Sequence, residues 1–334
     1  MNNPYISIII PVYNGISNGL QKCLDCIWEQ SLVKEFYEVI CIDDCSTDET
    51  RTWLKEQQKV HCNLRVIENE KNIRQGGARN KGVRVAKGKY ICFIDQDDYY
   101  HKESITKVYN HLKNNDLEIL IVDCAYQSPG IESNTLQHNF PHREVMTGDE
   151  QIERNSIPYA PWKFIFLRSL MVDNNLFFAE NERIEDVDWV HVLTHHAIRT
   201  QYQPILFIHY NKTTVSTTMT SYKSPETVYS TLRVGKRLIE LTSSTFANSN
   251  DNVKRYIKNL GERMYHIGIR SFFFFCDNTK KKSNNIKETA KNIVGCSFIV
   301  KNAKKYPKTF SFLSNLISPM GTICMWLYRR IKYN

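Results

Sequence analysis

Three aspartates occur within four positions of the chain, in the stretch "DQDD" at residues 95–98, directly after the apolar run "YICFI" at residues 90–94. A continuous run of β-prone residues predicts a strand that is covered on both faces, as in a parallel sheet. Carboxylates crowded at the end of such a strand repel one another, and burying one without a partner costs several kcal/mol. The cluster therefore indicates either a solvated turn or a site for a cation.

The segments around this cluster alternate between apolar strands and amphipathic helices over the first 125 residues. A β-α-β-α-β order with near-continuous apolar strands predicts an α/β fold with a mostly parallel, Rossmann-like sheet flanked by helices. Ligands of such sheets bind beyond the carboxyl ends of the strands. Polar residues follow three predicted strands, at 11–14, 43–44 and 95–98. We expect these three ends to meet at one rim of the sheet.

The residue types at this rim suit a nucleotide diphosphate. Two carboxylates at a strand end are suitable ligands for Mg²⁺ or Mn²⁺, whose remaining positions substrate phosphates can fill. Tyr13 can stack on a flat base, and Asp44 can accept a hydrogen bond from a base N–H. The glycines Gly76 and Gly77 fit neither a GxGxxG motif nor a P-loop. The pattern therefore predicts a nucleotide site assembled from strand ends.

Motifs spread in order over about residues 5–125 resemble the nucleotide-binding half of family 2 glycosyltransferases, which have the GT-A fold. The resemblance is carried by "ISIIIPVYN", "VICIDDCSTDET" and "NIRQGGARNKGVRVAKGKYICFIDQDD". It implies a metal-dependent enzyme that transfers a sugar, with inversion, from a nucleotide-diphosphate donor such as a UDP-sugar. The implied acceptor is a hydroxyl of a glycan or of a lipid-linked molecule, in the synthesis of a bacterial surface polysaccharide.

The resemblance also implies roles for individual residues on the donor side. It assigns Asp97 to the ribose and Asp98 to the metal, with Asp97 shared between the two and Asp95 in support. Arg79, in "GGARN", matches an arginine that faces the nucleotide, although a salt bridge on the surface of a helix explains it as well. The implied donor-binding residues are Pro11, Tyr13, Asp44, Arg79, Asp95 and Asp97, and the implied ligands of Mn²⁺ or Mg²⁺ are Asp98 and Asp97.

A transferase of this type needs a base that removes the proton of the acceptor hydroxyl. In "ERIEDVDWV" the resemblance matches the family's acidic pair to Glu185 and Asp186, with Asp186 as the base. Acidic residues that begin a helix are the alternative, because they are common there. Asp188, two positions further on, is expected to point away from Asp186 and to lie on the surface. No Ser-His-Asp or Cys-His arrangement is visible, which agrees with an inverting reaction that needs no nucleophilic side chain.

Two further segments carry alternatives that the sequence leaves open. The resemblance places Trp162 and Lys163 near the floor of the active site, whereas the pattern alone predicts a core tryptophan and a solvated lysine. The stretch 210–218, which contains Lys212, resembles a loop that closes over the donor diphosphate, but a flexible polar loop explains it equally.

Charge is unevenly distributed along the 334 residues. The net charge is +9 overall, yet residues 251–334 carry 17 Lys/Arg and only 4 Asp/Glu, so the rest of the chain is net acidic. This last quarter is therefore predicted to be either a basic helix lying on an anionic membrane surface, with Trp326 and Tyr328 at the interface, or a helical bundle packed on the core. We expect three parts: a nucleotide-sugar-binding half at 1–125, an acceptor-binding and catalytic half at 126–222, and a basic, helical C-terminal extension at 223–334.

The same patterns limit the class of protein and its location. No signal peptide and no apolar run long enough to span a bilayer is visible, so we expect a cytoplasmic protein, or one attached peripherally to the inner face of the plasma membrane. No recognised motif for nucleic acid accompanies the basic charge, so nucleic acid is not an expected partner. The alternatives to a glycosyltransferase are a nucleotidyltransferase and an inactive protein of the same fold that binds glycans or membranes.

Overall fold

The computed structural model describes residues 3–127, 133–211 and 225–278. Within these ranges, eight strands form one mixed sheet in the order β3-β2-β1-β4-β7-β6-β8-β5. The strands are β1 Ile6–Val12, β2 Tyr37–Asp43, β3 Leu64–Glu68, β4 Tyr90–Phe93, β5 Tyr99–Tyr100, β6 Ile119–Gln127, β7 Phe164–Leu167 and β8 Thr200–Asn211. The helices are α1 Leu20–Trp28, α2 Thr50–Val60, α3 Arg74–Val85, α4 Ser104–Asn114, α5 Gly148–Arg154, α6 Arg168–Asp173, α7 Asp186–His196, α8 Pro225–Leu241 and α9 Asp251–Asn278.

The N-terminal strands form the parallel part of the sheet. β1 pairs in parallel with β2 and with β4, and β2 pairs in parallel with β3. Every residue of β1, β2 and β4 is buried, as expected of strands covered on both faces. The prediction of an α/β fold with a mostly parallel sheet flanked by helices is confirmed.

The sheet continues into the second part of the chain without a break. β7 is antiparallel to both β4 and β6, whereas β6 and β8 are parallel. The short strand β5, which directly follows the aspartates, pairs antiparallel with the end of β8, with Tyr99 opposite His209. This pairing brings the end of β8 beside the aspartate cluster.

Helices α8 and α9 confirm the helical character of the C-terminal extension in its described part. They cross at two glycines, because a Cβ on Gly235 would lie 2.8 Å from the carbonyl oxygen of Gly261, and a Cβ on Gly261 would lie 2.9 Å from that of Gly235. Among the described helices, none combines the length and the hydropathy that a membrane span requires. The predicted interfacial residues Trp326 and Tyr328 lie outside the described residues.

Candidate active site

Among the described residues, the aspartate cluster after β4 has one ion pair, between Asp95 and Arg79. Asp98 is 1% exposed, and its Oδ1 accepts a hydrogen bond of 2.8 Å from the backbone N–H of Asn211. Its Oδ2 is buried without a hydrogen-bond partner among the described residues. Burial, reinforced by the charges of Asp95 and Asp97, raises the pKa of Asp98 well above its ordinary value. The cluster is therefore not the solvated turn that the sequence left open.

Asp97 stands next to Asp98 and is partly buried. Burial, followed by the charge of Asp95, raises the pKa of Asp97 to about 6. Within the described ranges, no group of three or more His, Cys, Asp or Glu side chains is arranged to hold a metal ion. Two adjacent carboxylates with an orphaned oxygen nevertheless fit a divalent ion that takes its remaining ligands from a diphosphate.

Two loops at the rim are joined by the side chain of Gln96. Its Oε1 accepts from the backbone N–H of Tyr13 at 2.9 Å, and its Nε2 donates to the carbonyl oxygen of Tyr13 at 2.9 Å. The N–H of Asp44 donates to the carbonyl oxygen of Val12 at 2.7 Å. The ends of β1, β2 and β4 thus meet at one rim, as the sequence predicts.

The residues predicted to bind the nucleotide base differ in how far they are buried at this rim. Tyr13 is 44% exposed, and its ring is accessible beyond β1. Pro11 lies within β1 opposite Ile42 and is buried, so it supports the turn that presents Tyr13. Asp44 is buried, and its Oδ1 accepts from the Nδ2 of Asn69 at 2.8 Å and from the N–H of Ile73 at 2.9 Å. These bonds fix the orientation of the Asp44 carboxylate.

Arg79 connects the aspartate cluster to the acidic pair. One guanidinium nitrogen lies 2.7 Å from Asp95 Oδ1, and another lies 2.8 Å from Glu185 Oε1. The Arg79 side chain is only 3% exposed, so the alternative of a salt bridge on the surface of a helix is wrong. Gly76, one turn earlier in α3, makes room for this contact, because a Cβ there would lie 2.9 Å from Cγ of Glu185.

Asp186 is the first residue of α7, and Glu185 precedes it at the N-cap position without making a side-chain capping bond. Burial, followed by the charge of Glu185, raises the pKa of Asp186 to about 8. Arg79 lies close enough to oppose this shift. Burial also raises the pKa of Glu185, and Arg79 again opposes the shift. Among the described residues, Asp186 forms no ion pair, which leaves its carboxylate available to a substrate.

The prediction that Asp188 lies on the surface is wrong. Asp188 does lie on the side of α7 away from Asp186, but α8 packs against that side. Its Oδ2 lies 2.6 Å from Nε of Arg237, and the residue is 9% exposed. Helical spacing gives the direction of a side chain correctly, but it does not tell which later segment covers that face.

The alternative of a solvated Lys163 is also wrong, whereas Trp162 is buried as the core interpretation predicts. Nζ of Lys163 lies 2.8 Å from Oδ1 of Asp123, and both side chains are almost fully buried. Trp162 stacks on Tyr210 with ring centroids 5.6 Å apart. Residues 212–218 of the predicted diphosphate loop, with Lys212, lie outside the described residues.

Sequence reasoning missed several residues that hold the site together. Gln96 could have been found, because it stands inside the aspartate cluster. The backbone of Asn211 gives no signal in the sequence, since its contact with Asp98 depends on the pairing of β5 with β8. Ser230 and Arg237, which contact the segment before and within α7, have helical spacing but were read only as part of a basic region.

The chain shows similarity to glycosyltransferases in its sequence. The family model described as glycosyl transferase family 2 matches residues 7–176. The poly(ribitol-phosphate) beta-glucosyltransferase of Bacillus spizizenii is 43% identical over 175 residues, which cover 52% of this chain and 26% of the relative. The poly(ribitol-phosphate) beta-N-acetylglucosaminyltransferase TarS of Staphylococcus aureus is 27% identical over 176 residues, covering 52% of this chain and 29% of TarS. The chain thus spans between a quarter and just over half of the curated relatives it matches first.

Solved structures show the same fold. The crystal structure of S. aureus TarS residues 1–349 in complex with UDP-GlcNAc superposes with a TM-score of 0.59 at 21% identity, covering 84% of this chain and 76% of that one. A mannosyltransferase from Pyrobaculum calidifontis in complex with GDP-Man and Mn²⁺ superposes with a TM-score of 0.53 at 13% identity, covering 98% and 85%. At these identities the likeness establishes the fold, and the predicted GT-A fold is confirmed.

Proposed function

The chain belongs to glycosyltransferase family 2, and from this premise we propose that it transfers a sugar from a UDP-sugar to a hydroxyl of a glycan or lipid-linked acceptor. The acceptor would belong to a bacterial cell-wall polysaccharide. The names of the poly(ribitol-phosphate) transferases support this acceptor class, and the TarS complex with UDP-GlcNAc supports the donor class. Membership of this family argues against the alternative of a nucleotidyltransferase.

One observation carries the proposal: Arg79 bridges Asp95, in the aspartate cluster, and Glu185, in the acidic pair, at 2.7 and 2.8 Å. A transfer reaction needs the leaving diphosphate and the base to be close together, on opposite sides of the reacting carbon. A buried guanidinium that touches both acidic segments fixes their separation.

The donor residues keep their predicted roles in this proposal. Tyr13, supported by Pro11, stacks on the base, and Asp44 accepts from a base N–H. Asp97 receives the ribose with Asp95 in support, and Arg79, which pairs with Asp95, faces the nucleotide. Asp97 and Asp98 would hold Mn²⁺ or Mg²⁺, and the bound ion would neutralise charge on the diphosphate.

The acceptor step rests on Asp186. Its carboxylate takes the proton of the acceptor hydroxyl as that oxygen attacks the anomeric carbon from the face opposite the diphosphate. The new C–O bond forms while the anomeric C–O bond to phosphate breaks, and the bonding electron pair leaves with the diphosphate. The configuration at the anomeric carbon is inverted. A raised pKa makes Asp186 a stronger base than an exposed aspartate.

We further propose the division into a nucleotide-sugar half at 1–125, an acceptor and catalytic half at 126–222, and a basic helical extension at 223–334. A cytoplasmic location follows from the use of nucleotide sugars. Attachment of residues 251–334 to the inner face of the plasma membrane stays a prediction, supported only by their net positive charge.

The test measures UDP release from UDP-glucose and from UDP-N-acetylglucosamine, with poly(ribitol phosphate) as acceptor and with either Mn²⁺ or EDTA. We expect metal-dependent transfer from one donor by the wild type, and a loss of about 10²- to 10⁴-fold in Asp186→Asn. Asp25→Asn, an exposed acid on α1, is the matched control and should keep full activity. Full turnover by Asp186→Asn would show that another group serves as the base.

A further inference from the structure

Helix α8 presents three polar residues on one face, at the helical spacing i, i+3 and i+7: Ser230, Arg233 and Arg237. All three contact the short segment 182–188, which contains the acidic pair. This segment and α8 both lie beyond residues 7–176, the range that the family model matches. The contacts therefore join the acidic-pair segment to the C-terminal extension, and they lie outside the range that the family model matches.

Ser230 secures the backbone immediately before the acidic pair. Its hydroxyl is buried and accepts hydrogen bonds of 3.1 Å from the N–H groups of Arg183 and Ile184. The same hydroxyl donates to Oε2 of Glu182 at 2.6 Å. Two backbone N–H groups next to Glu185 thus depend on one side chain of α8.

Arg237 secures the segment from its other end. Its Nε lies 2.6 Å from Oδ2 of Asp188, and another of its guanidinium nitrogens lies 3.3 Å from Oε1 of Glu182. Arg237 therefore contacts one residue before the acidic pair and one residue after it. Arg233 forms a fork to Glu182 at 2.6 and 2.8 Å, but its side chain is 54% exposed, so solvent weakens this pair.

Helix α8 is itself held firmly in place. Its glycine crossing with α9, at Gly235 and Gly261, leaves no space for a β-carbon. Val234 and Leu238 on α8 are fully buried in the core. A rigid helix that bonds to both ends of a short segment fixes the position of the residues between those ends.

We propose that Ser230 and Arg237 are positioning residues for the reaction: they hold the segment that carries Asp186, so that its carboxylate meets the acceptor hydroxyl. This inference rests on the proposed role of Asp186 as the base. Neither residue touches the reacting atoms. A displacement of about 1 Å in a reacting group can cost about 10²-fold in rate, so their loss lowers turnover while donor binding is preserved.

The first arm of the test needs no substrate. Hydrogen exchange of the full 334-residue chain is followed at the amides of Arg183 and Ile184, in wild type, Ser230→Ala and Arg237→Met. We expect exchange to be about 10-fold faster at these amides in Ser230→Ala, with α9 unchanged. Unchanged exchange in both variants would overturn the proposal.

The second arm measures UDP release from UDP-glucose and UDP-N-acetylglucosamine in the same variants. Ser230→Ala and Arg237→Met should lose about 10- to 100-fold in kcat, with the KM for the donor within about 3-fold of wild type. Arg237→Lys should recover part of the loss, because it keeps the charge facing Asp188. Lys236→Met, on the exposed side of α8 and paired with Glu240 within the described structure, should behave as wild type.

Asp186→Asn in the same assay distinguishes a failure of the positioning role from a failure of the base assignment. If Asp186→Asn is inactive while Ser230→Ala and Arg237→Met keep wild-type kcat, the positioning role is wrong and the base assignment stands. If Asp186→Asn is active, the base assignment fails and the positioning role fails with it. A proportional rise of KM in the α8 variants, without loss of kcat, would instead show that α8 serves donor binding and would overturn the proposal.

Discussion

Residues 95–98 and residues 182–188 are both acidic, yet their carboxylates are balanced by different partners. In the second segment Glu182, Glu185 and Asp188 each pair with an arginine, from α8 or from α3. In the first segment only Asp95 has such a partner among the described residues, namely Arg79. Backbone N–H groups oppose the rise in the pKa of Asp97 and Asp98, but burial raises the pKa of both.

This difference shows which carboxylates of the two segments have no ion-pair partner among the described residues. In the 182–188 segment, within the described structure, the acid without an ion pair is Asp186, whose neighbours are fixed by arginines. In the 95–98 segment the acids without an ion pair, Asp97 and Asp98, are adjacent, and burial raises the pKa of both. The arrangement in residues 182–188 suits a proton acceptor. The arrangement in residues 95–98 suits a cation that arrives with its substrate.

The largest expected effect comes from removing the residue that both segments share. Arg79→Met leaves Asp95 and Glu185 without their cation, and Glu185 is deeply buried. Breaking a buried pair in this way should destabilise the protein by about 3–5 kcal/mol in denaturant unfolding. Arg84→Met, an arginine on the same helix that is 51% exposed, should cost less than about 1 kcal/mol. Similar losses for the two variants would contradict the bridging role.

The cation account predicts a dependence of metal binding on pH. A metal ion requires deprotonated carboxylates, and burial raises the pKa of Asp97 to about 6. The affinity for Mn²⁺ in the presence of UDP should therefore fall as the pH drops from 7.5 to 5.5, by up to about 10-fold per pH unit below the pKa. Titrations at five pH values measure this. An affinity that stays constant down to pH 5 would exclude these aspartates as ligands.

A third prediction concerns the stability of the protein without metal. The folded pKa of Asp98 is raised, so its charged form is disfavoured in the fold, and the cost is present at neutral pH but absent at acidic pH. Asp98→Asn should therefore stabilise the metal-free protein at pH 7.5 by on the order of 1 kcal/mol, and the gain should vanish near pH 4.

Thermal unfolding at the two pH values measures this change. Asp25→Asn serves as the control, because its side chain is exposed. Destabilisation of Asp98→Asn at pH 7.5 would mean that the Asp98 charge is already balanced.

The smallest expected effect tests the contact between α3 and the acidic pair. In Gly76→Ala the new Cβ meets Cγ of Glu185 at 2.9 Å and the carbonyl oxygen of Ala179 at 3.1 Å. Alanine favours the helix by up to about 1 kcal/mol, so stability should change little while the acidic pair shifts. We expect a loss of about 3- to 10-fold in kcat. Gln75→Ala, an exposed neighbour on α3, should be neutral, and equal kcat values for the two variants would argue against the contact.

The sequence predicts the nucleotide half of the fold well, because its information is local. The apolar runs of β1, β2 and β4 report burial on both faces, and parallel connection then requires their polar ends to meet. The contact of Tyr13 with Gln96 follows from that geometry. For the same reason Asp44 and the aspartate cluster could be placed at one rim before any coordinates were known.

Ion pairs between distant parts of the chain could not be predicted in this way. Asp188 contacts Arg237, and Lys163 contacts Asp123, each across at least 40 positions of sequence. Helical periodicity shows which face a residue occupies, but not which segment covers that face. Arg237 therefore carried no signal of its contact with Asp188, although its side chain is partly buried against α7.

The central claim is that Asp97 and Asp98 form a metal-dependent nucleotide site. It is tested most directly by calorimetric titration of UDP and of GDP, each with Mn²⁺ and with EDTA, into wild type, Asp98→Ala and the control Asp25→Asn. We predict that UDP binds to wild type and to the control only with Mn²⁺, and that Asp98→Ala loses this binding. Binding of UDP that is equal with Mn²⁺ and with EDTA, or unchanged in Asp98→Ala, would contradict the account.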